Sequence, residues 1–247
     1  MLESVIDSFD QLHQALAEGG HSTRRTFFRG LKSVDYELRT SLARMKWFVE
    51  MPTEEQERFL FLRFQERAIP HLEFTPKDDW DWLTLAQHHG LPTRLLDWTL
   101  NPLVATYFAV EDHSFRGDSV LYAFEGSERV DVSQQANPLT LTSVRRFFPR
   151  HITRRLTAQS GTFTVHPQPE PKIGFKSDAL KRIVIRGPAR RKIKKILYWY
   201  GIHRASLFPD LDGLAAHLKW IREDSEPHQA KDDSVKQGSD PASSLPL

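Results

Sequence analysis

Residues 87–99 of this 247-residue chain read Gln-His-His-Gly-Leu-Pro-Thr-Arg-Leu-Leu-Asp-Trp-Thr. The run begins in the last turn of a helix predicted over residues 79–89, which Gly90 ends because helices commonly close on glycine. Residues 91–93 are a loop, and residues 95–98 are short, apolar and typical of a strand. Asn101 is predicted to cap a helix that begins at Pro102, since proline fits the first turn. Two helices, a loop and a strand therefore surround one group of polar side chains.

The rest of the chain mixes helices and strands in the same irregular way. Further helices are predicted over residues 9–18, 54–68, 188–200 and 213–223, and further strands over residues 26–29, 119–124, 161–165 and 182–186. Because the elements do not alternate strictly, the sequence predicts an α+β fold, with small mixed or antiparallel sheets packed against helices. Residues 1–224 are predicted to form one domain with its core at 20–221. The polar residues 225–247 are predicted to be a disordered tail.

Composition narrows the class of protein. Hydrophobic residues make up 39% of the chain, with 6 Trp and 16 Phe, which is enough for a sizeable core. The chain has no Cys, which excludes disulfides, cysteine zinc sites and a cysteine nucleophile. No apolar stretch reaches the roughly 18–20 residues that span a bilayer, and the first residues lack a signal-peptide pattern. We therefore expect a cytoplasmic protein with no membrane partner.

Several common catalytic and metal-binding patterns are missing from the sequence. It contains no P-loop, no G-x-G-x-x-G after a strand, no G-x-S-x-G elbow and no H-E-x-x-H pair. The adjacent His88 and His89 would point about 100° apart on a helix, which disfavours a shared metal ion. No bound metal is expected.

The segment Phe27-Phe28-Arg29-Gly30 places an arginine inside a predicted strand. One interpretation is a solvent-facing charge on an edge strand. The other is a binding site for an anion, because a guanidinium matches the geometry of a phosphate. Gly30 has no side chain and would let a ligand approach the backbone.

The run at residues 87–99 supplies further candidate site residues. His88 and His89 lie in the last turn of a helix, where the dipole favours a cation. Thr93 and Arg94 offer a hydroxyl and a guanidinium. Asp97 lies in an apolar run, so a buried carboxylate there would need a partner, which either Arg94 or Arg29 could be. A purely structural Arg–Asp pair remains the alternative.

Basic residues crowd two segments, residues 145–155 and 181–195, although the net charge is only +2. Cations next to aromatic side chains such as Phe147 and Phe148 suit nucleic acid, through phosphate contacts and base stacking. The alternative is a solvated face with extended side chains. The candidates for contacting nucleic acid are Arg145, Arg146, Arg150, Arg154, Arg190, Arg191 and Lys194.

Phe28-Arg29-Gly30 is similar to the aromatic-Arg-Gly signature of the FRG domain family. Residues 87–99, Asn101-Pro102 and residues 107–109 resemble the central block of that family. Residues 159–163 and 207–213 resemble its later blocks, in the same order. This resemblance implies the family but little about its activity.

A second resemblance is to ADP-ribosyltransferase folds that begin their site with an arginine. It implies that Arg29, with Phe28 and Gly30, holds the diphosphate of NAD, and that Thr93 or Thr99 lies on the second site strand. In such enzymes a glutamate steadies positive charge on the ribose. The matching segment, residues 157–163, has Gln159 and no carboxylate, so either another acid such as Asp97 supplies the charge or the chemistry is slow, altered or absent.

Three functions follow from these patterns. The first is a transferase that consumes NAD as a co-substrate and modifies nucleic acid or another macromolecule. Arg29 would bind phosphate, His88 or His89 would contact substrate, and Asp97 or Gln159 would assist the ribose. The second is a non-catalytic module that binds nucleic acid or a phosphorylated ligand. The third is an interaction component of a bacterial or phage defence system. All site residues are expected to share one polar cleft in the first case.

Overall fold

The structure, a computed structural model, describes residues 2–19, 26–46, 52–72, 74–150, 153–168 and 174–224. Its described strands form one sheet of seven in the order β1-β7-β4-β2-β3-β6-β5. The strands are β1 (Leu2–Ile6), β2 (Phe27–Leu31), β3 (Leu95–Thr99), β4 (Ser119–Phe124), β5 (Arg145–Phe147), β6 (Gly161–Val165) and β7 (Leu180–Ile185). The α+β class is confirmed, in one mixed sheet that is larger than the small sheets expected.

Only one pair of neighbouring strands in the described sheet is parallel. β1 pairs with β7 in parallel, with Leu2 opposite Lys181 and Ile6 opposite Ile185. The remaining pairs are antiparallel. Neither β1 nor β5 was among the predicted strands. Each is short, and each is held by a strand that follows it in the chain, so local pattern alone does not reveal them.

The described helices are α1 (Phe9–Glu18), α2 (Thr53–Ala68), α3 (Asp79–His88), α4 (Pro102–Val110), α5 (Arg154–Ala158), α6 (Arg190–Trp199), α7 (Arg204–Leu207) and α8 (Leu211–Asp224). Side chains cap the N-termini of most of the predicted helices. Ser8 accepts from the backbone of Gln11, and Asn101 accepts from Leu103. Helix α2 differs from these, because the residue before it is Pro52 and no side chain caps it.

Two further boundaries differ from the sequence prediction. The helix expected from Pro188 begins at Arg190, because residues 187–189 form a turn of 3₁₀ helix first. The segment 157–163 that was matched to a site strand is not one strand, because residues 154–158 are the short helix α5 and the strand covers only Gly161–Val165, as predicted for residues 161–165. Gln159 therefore lies in the turn between them. The tail predicted at residues 225–247 lies outside the described residues.

Three apolar clusters cover the sheet. The first joins one face of β2, β4 and β7 to α1, α4 and α6. The second packs α2 and α3 on β3, β5 and β6. The third lies on Phe27, Leu96, Trp98, Val120 and Phe124. Residues 27 and 28 thus point to different clusters, as alternation along a strand requires.

Of the neighbouring strand pairs in the described sheet, β2 and β3 have the shortest ladder. Their ladder contains one pair of facing residues, Phe28 and Thr99, whereas β2 pairs with β4 along five residues. On the other side, β3 pairs with β6 along its whole length. The sheet therefore has a seam at β2–β3, and the candidate site lies beside it.

Gly30 fixes how closely β2 approaches α4. A Cβ atom at this position would overlap the carbonyl oxygen of Ala105 and lie 2.7 Å from the backbone nitrogen of Ala109. Both are backbone atoms that cannot move independently of α4. The glycine therefore serves helix–strand packing, in addition to any ligand approach inferred from the sequence.

Gly30→Ala is expected to destabilise the protein by about 1–3 kcal/mol, because overpacking against backbone forces β2 and α4 apart. The measurement is the free energy of unfolding in urea. Gly117→Ala is the matched control, since its added Cβ would meet the tip of the Phe115 ring, 2.7 Å away, which can move. Equal losses in both variants would contradict this explanation.

Candidate functional site

A cleft of about 510 Å³ opens at the seam between β2 and β3. That volume lies within the range of small-molecule sites in proteins, about 300–1,000 Å³. Its polar lining comes from β2 and the residues after it, from α3, from β3, and from α5 with the turn that follows it. These polar residues are Arg29, Lys32, Tyr36, Gln87, His88, Asp97, Thr99, Arg155 and Gln159.

Arg29 bridges the seam. Its Nη1 donates to the backbone carbonyl of Asp97, and the same nitrogen lies 3.5 Å from the Asp97 Oδ2 atom. The guanidinium therefore supplies a hydrogen bond where the β2–β3 ladder lacks one. Its Nε is buried and has no hydrogen-bond partner within the described residues. Burial lowers the pKa of Arg29, and Asp97 opposes that shift.

Asp97 presents an exposed carboxylate to the cleft. Its side chain is 57% exposed, while the neighbouring residues of β3 are buried. The expectation of a buried carboxylate is therefore wrong, because the side chain points into the cleft and not into the apolar cluster. Of the two partners considered, Arg29 is the one in contact.

A hydrogen-bonded chain orients that carboxylate from the opposite side. Gln87 Nε2 donates to Asp97 Oδ2 over 3.0 Å, and Thr93 Oγ1 donates to Gln87 Oε1 over 2.5 Å. Thr93 in turn accepts from the backbone nitrogen of Leu95. Asp97 is thus held between a cation and an amide. Gln87 was absent from the candidate residues, although it opens the polar run and lies ten residues before Asp97.

The two adjacent histidines differ in position. His88 lines the cleft and is half-buried, and burial lowers its pKa, with His89 and Arg155 adding to the effect. A neutral imidazole can both donate and accept a hydrogen bond. His89 is exposed at the end of α3, outside the cleft lining, with its ring centroid 4.9 Å from that of His88.

Thr99 and Gln159 join the far wall of the cleft. Thr99 Oγ1 donates to the backbone carbonyl of Gln159 over 2.6 Å. The Gln159 side chain donates to the carbonyl of Leu207 over 3.0 Å, so its amide nitrogen already helps to hold α7. Arg155, which the sequence did not single out for the cleft, adds a cation here and stacks 4.5 Å from the ring centre of Phe208.

Two of the predicted cofactor-binding residues lie away from the cleft. Arg94 is 1% exposed and forms a two-pronged ion pair with Glu57, with Nε–Oε1 2.9 Å and Nη2–Oε2 2.5 Å. Thr93 is also buried and reaches the cleft only through Gln87. Arg94 therefore stabilises α2 against β3, and its position gives it no direct path to a ligand in the cleft.

Most of the basic residues proposed for nucleic acid are bound within the fold. Arg145 pairs with Glu128, Arg150 with Asp78 and Asp81, and Arg146 donates to the carbonyl of Ser127. Arg190 is buried among backbone carbonyls, and Lys194 donates to the carbonyl of Glu111. Arg154 and Arg191 are exposed. Contact with nucleic acid stays a prediction, and fewer of the proposed residues are available to make it.

His166 lies beneath the cleft in a buried polar cluster. Its Nε2 is 2.8 Å from Thr164 Oγ1, which also accepts from the indole of Trp98. Burial lowers the pKa of His166 to about 4, and the nearby charge of Arg29 adds to this. Because the unfolded chain binds the proton from about pH 6.5, protonation on acidification favours unfolding.

We expect His166 to lower the free energy of unfolding by up to about 3 kcal/mol as the pH decreases from about 6.5 to about 4. At neutral pH this loss should be absent. Urea titrations at pH 7 and pH 4.5 measure this. His166→Gln keeps a neutral polar group and should lose much of the pH dependence. If the free energy of unfolding of the variant changes with pH as it does in the parent, the pH dependence does not come from His166.

A family model described as FRG domain matches residues 24–117. The matched range contains β2, α3, β3 and α4, and so Arg29, His88, Asp97 and Thr99, but it ends before Arg155 and Gln159. No curated protein and no solved structure matches the chain. Among the described helices, none has the length and apolar character to cross a membrane. The described residues also place no cluster of three or more His, Asp or Glu side chains for a metal ion.

Proposed function

Because this chain carries an FRG domain whose polar residues meet in one cleft, we propose that it is an NAD-consuming transferase of the ADP-ribosyltransferase kind. The single observation that carries the proposal is the position of Asp97. It is an exposed carboxylate next to Arg29 that also accepts a hydrogen bond from Gln87, at the wall of a cleft whose volume lies within the range of small-molecule sites.

The cations of the cleft suit a diphosphate. Arg29 and Arg155 both line it, and an arginine binds phosphate oxygens through paired hydrogen bonds. Lys32 also lines it but already lies 3.1 Å from Asp112. The buried Nε of Arg29, without a partner in the described part of the chain, is a donor that a bound anion could satisfy after a small shift.

The carboxylate suits the other end of such a ligand. In the reaction proposed, the bond between the nicotinamide nitrogen and the ribose carbon breaks, the electron pair leaves with nicotinamide, and an acceptor nucleophile bonds the carbon and loses its proton. Asp97 would stabilise the positive charge that develops on the ribose. The aromatic side chains of Tyr36 and Phe108 offer apolar surface for a flat ring.

His88 would contact the acceptor, because its ring lines the cleft. Its lowered pKa keeps the ring neutral near pH 7, so it can accept a proton from an attacking hydroxyl or amine. His89 lies outside the cleft and is given no role. Gln159 contributes to the wall of the cleft and to the position of α7, because its amide nitrogen is already bonded.

Incubation of the protein with NAD, followed by mass spectrometry for released nicotinamide, tests the proposal. DNA, RNA and a protein mixture are added separately as acceptors. Release in any of these samples supports the transferase. Binding of NAD without release would leave a nucleotide-binding module and overturn the catalytic proposal. If NAD is neither bound nor cleaved, the assignment of NAD to the cleft is overturned.

A further inference from the structure

A second cavity, of about 310 Å³, lies between the end of α4 and the start of α6. It is called the basic pocket below, because four of its lining residues are cations: Arg116, Arg190, Arg191 and Lys194. Among the described residues that line it, only Asp112 carries a carboxylate. The basic pocket shares no lining residue with the cleft at the β2–β3 seam. A cavity lined mainly by one sign of charge concentrates ions of the opposite sign.

Close backbone packing brings the two arginine-bearing segments of this pocket together. A Cβ atom at Gly187 would overlap the carbonyl oxygen of Arg116, so the chain that follows α4 lies directly against the turn that precedes α6. Arg190 adds to this contact, because its two terminal nitrogens donate to three backbone carbonyls within residues 109–115. The backbone of Arg116 is therefore held next to the start of α6.

Arg190 is a buried cation without a carboxylate in contact among the described residues. It is 3% exposed, and the carbonyls that accept from its terminal nitrogens carry no net charge. Its Nε is also buried and has no hydrogen-bond partner in the described part of the chain. Buried charges in proteins are usually paired, as Arg94 is with Glu57. Burial lowers the pKa of Arg190, Asp112 opposes this shift and Arg116 adds to it. An anion in the basic pocket would supply a counter-charge.

The carboxylates described around the pocket have other cations as partners. Asp112 lies 3.1 Å from the ammonium group of Lys32. Three more carboxylates on the surrounding segments each pair with a cation outside the pocket: Glu111 with Arg204, Asp118 with Arg186, and Glu223 with Lys219. These pairs do not use the four cations of the lining. The described residues therefore give the pocket a net positive charge.

We propose that the basic pocket is a phosphate-binding site, separate from the cleft. Arg116 and Arg191 are exposed and would contact the phosphate oxygens through paired hydrogen bonds, while the buried Arg190 adds positive charge. The phosphate belongs either to a free phosphoester or to the backbone of a nucleic acid, for which Arg190, Arg191 and Lys194 are candidates from the sequence. The site does not depend on the transferase proposed for the cleft.

Isothermal titration calorimetry with inorganic phosphate, in a chloride buffer, tests the site. We expect saturable binding by the parent and an affinity lower by about tenfold or more in Arg116→Gln, because hydrogen bonds from a charged donor to the anion are lost. Arg67→Gln is the matched control, since Arg67 is an exposed arginine on α2, outside the lining of the pocket. It should keep the parental affinity. A parent that does not bind phosphate, or an unchanged affinity in Arg116→Gln, overturns the proposal.

A variant of the cleft separates the two sites, because Arg29 and Arg155 line the cleft and also attract anions. Arg155→Gln reduces the positive charge of the cleft and leaves the basic pocket intact. Phosphate binding at the basic pocket should therefore persist in Arg155→Gln. If Arg155→Gln loses phosphate binding and Arg116→Gln keeps it, the anion binds in the cleft and the proposal is overturned.

A fluorescently labelled single-stranded oligonucleotide distinguishes the two sources of phosphate. If the backbone of a nucleic acid is the ligand, Arg116→Gln should weaken oligonucleotide binding as well, and inorganic phosphate should compete with the oligonucleotide. An oligonucleotide that does not bind, or that binds Arg116→Gln and the parent equally well, assigns the pocket to a free phosphoester. Both results, together with weaker phosphate binding in Arg116→Gln, support the site.

Discussion

Asp97→Asn is expected to lower nicotinamide release from NAD by a factor of about 100 or more, since removing one electrostatic group that stabilises developing charge costs about 10²–10³ in rate. The asparagine has the same shape and can still accept from Gln87 and Arg29, so the cleft should keep its form. Initial rates at saturating NAD measure the effect, and a thermal shift with NAD reports whether binding survives.

Asp10→Asn is the matched control for this variant, because it removes the same charge from an exposed carboxylate on α1. It should release nicotinamide at the parental rate. If Asp97→Asn also does so, Asp97 has no catalytic role, and the ion pair with Arg29 is structural. If Asp97→Asn neither binds NAD nor keeps the parental free energy of unfolding, the role of Asp97 is again structural.

Arg94→Met is expected to destabilise the protein by about 3–5 kcal/mol, because it leaves the carboxylate of Glu57 buried without its cation. Glu57 is 2% exposed, so water cannot replace the lost partner. The free energy of unfolding in urea measures the loss. It should appear without any effect on NAD affinity in the fraction that is folded, since Arg94 lies outside the cleft.

Two further variants separate burial of charge from loss of packing. Glu57→Leu with Arg94→Met removes both charges and should recover most of the lost stability. Arg63→Met breaks an exposed pair with Glu66 on α2 and should cost about 1 kcal/mol or less. A single Arg94 variant as stable as the Arg63 variant would show that the buried pair contributes little.

Local sequence patterns predicted the elements that frame the cleft. Gly90, with a φ angle of +83°, ends α3, and Asn101 with Pro102 begins α4, as expected from their backbone preferences. Arg29 was correctly expected in an early strand, and its contact with Asp97 was one of two alternatives. Choosing Arg29 over Arg94 depended on Glu57, a residue on a different helix that no local pattern connects to Arg94.

The exposure of Asp97 could not be read from its apolar neighbours. Alternation along β3 sends Leu96 and Trp98 to one side and Asp97 to the other, but whether that side is core or cleft depends on where β2 and β3 part. The same limit applies to the basic segments. Their composition suggested a surface for nucleic acid, whereas the carboxylates and carbonyls that bind most of them come from distant parts of the chain.

The seam between β2 and β3 has a consequence for how a ligand would be detected. The four strands on one side and the three on the other are joined there by one facing pair and by the Arg29 side chain. A molecule that contacts both Arg29 and Asp97 would act as a clamp across these halves. At a concentration one hundred times its dissociation constant it would add about 2.7 kcal/mol to the unfolding free energy. The backbone amide protons of Gly30 on β2 and Trp98 on β3 should then exchange with solvent more slowly. A ligand can therefore be recognised before any reaction is known.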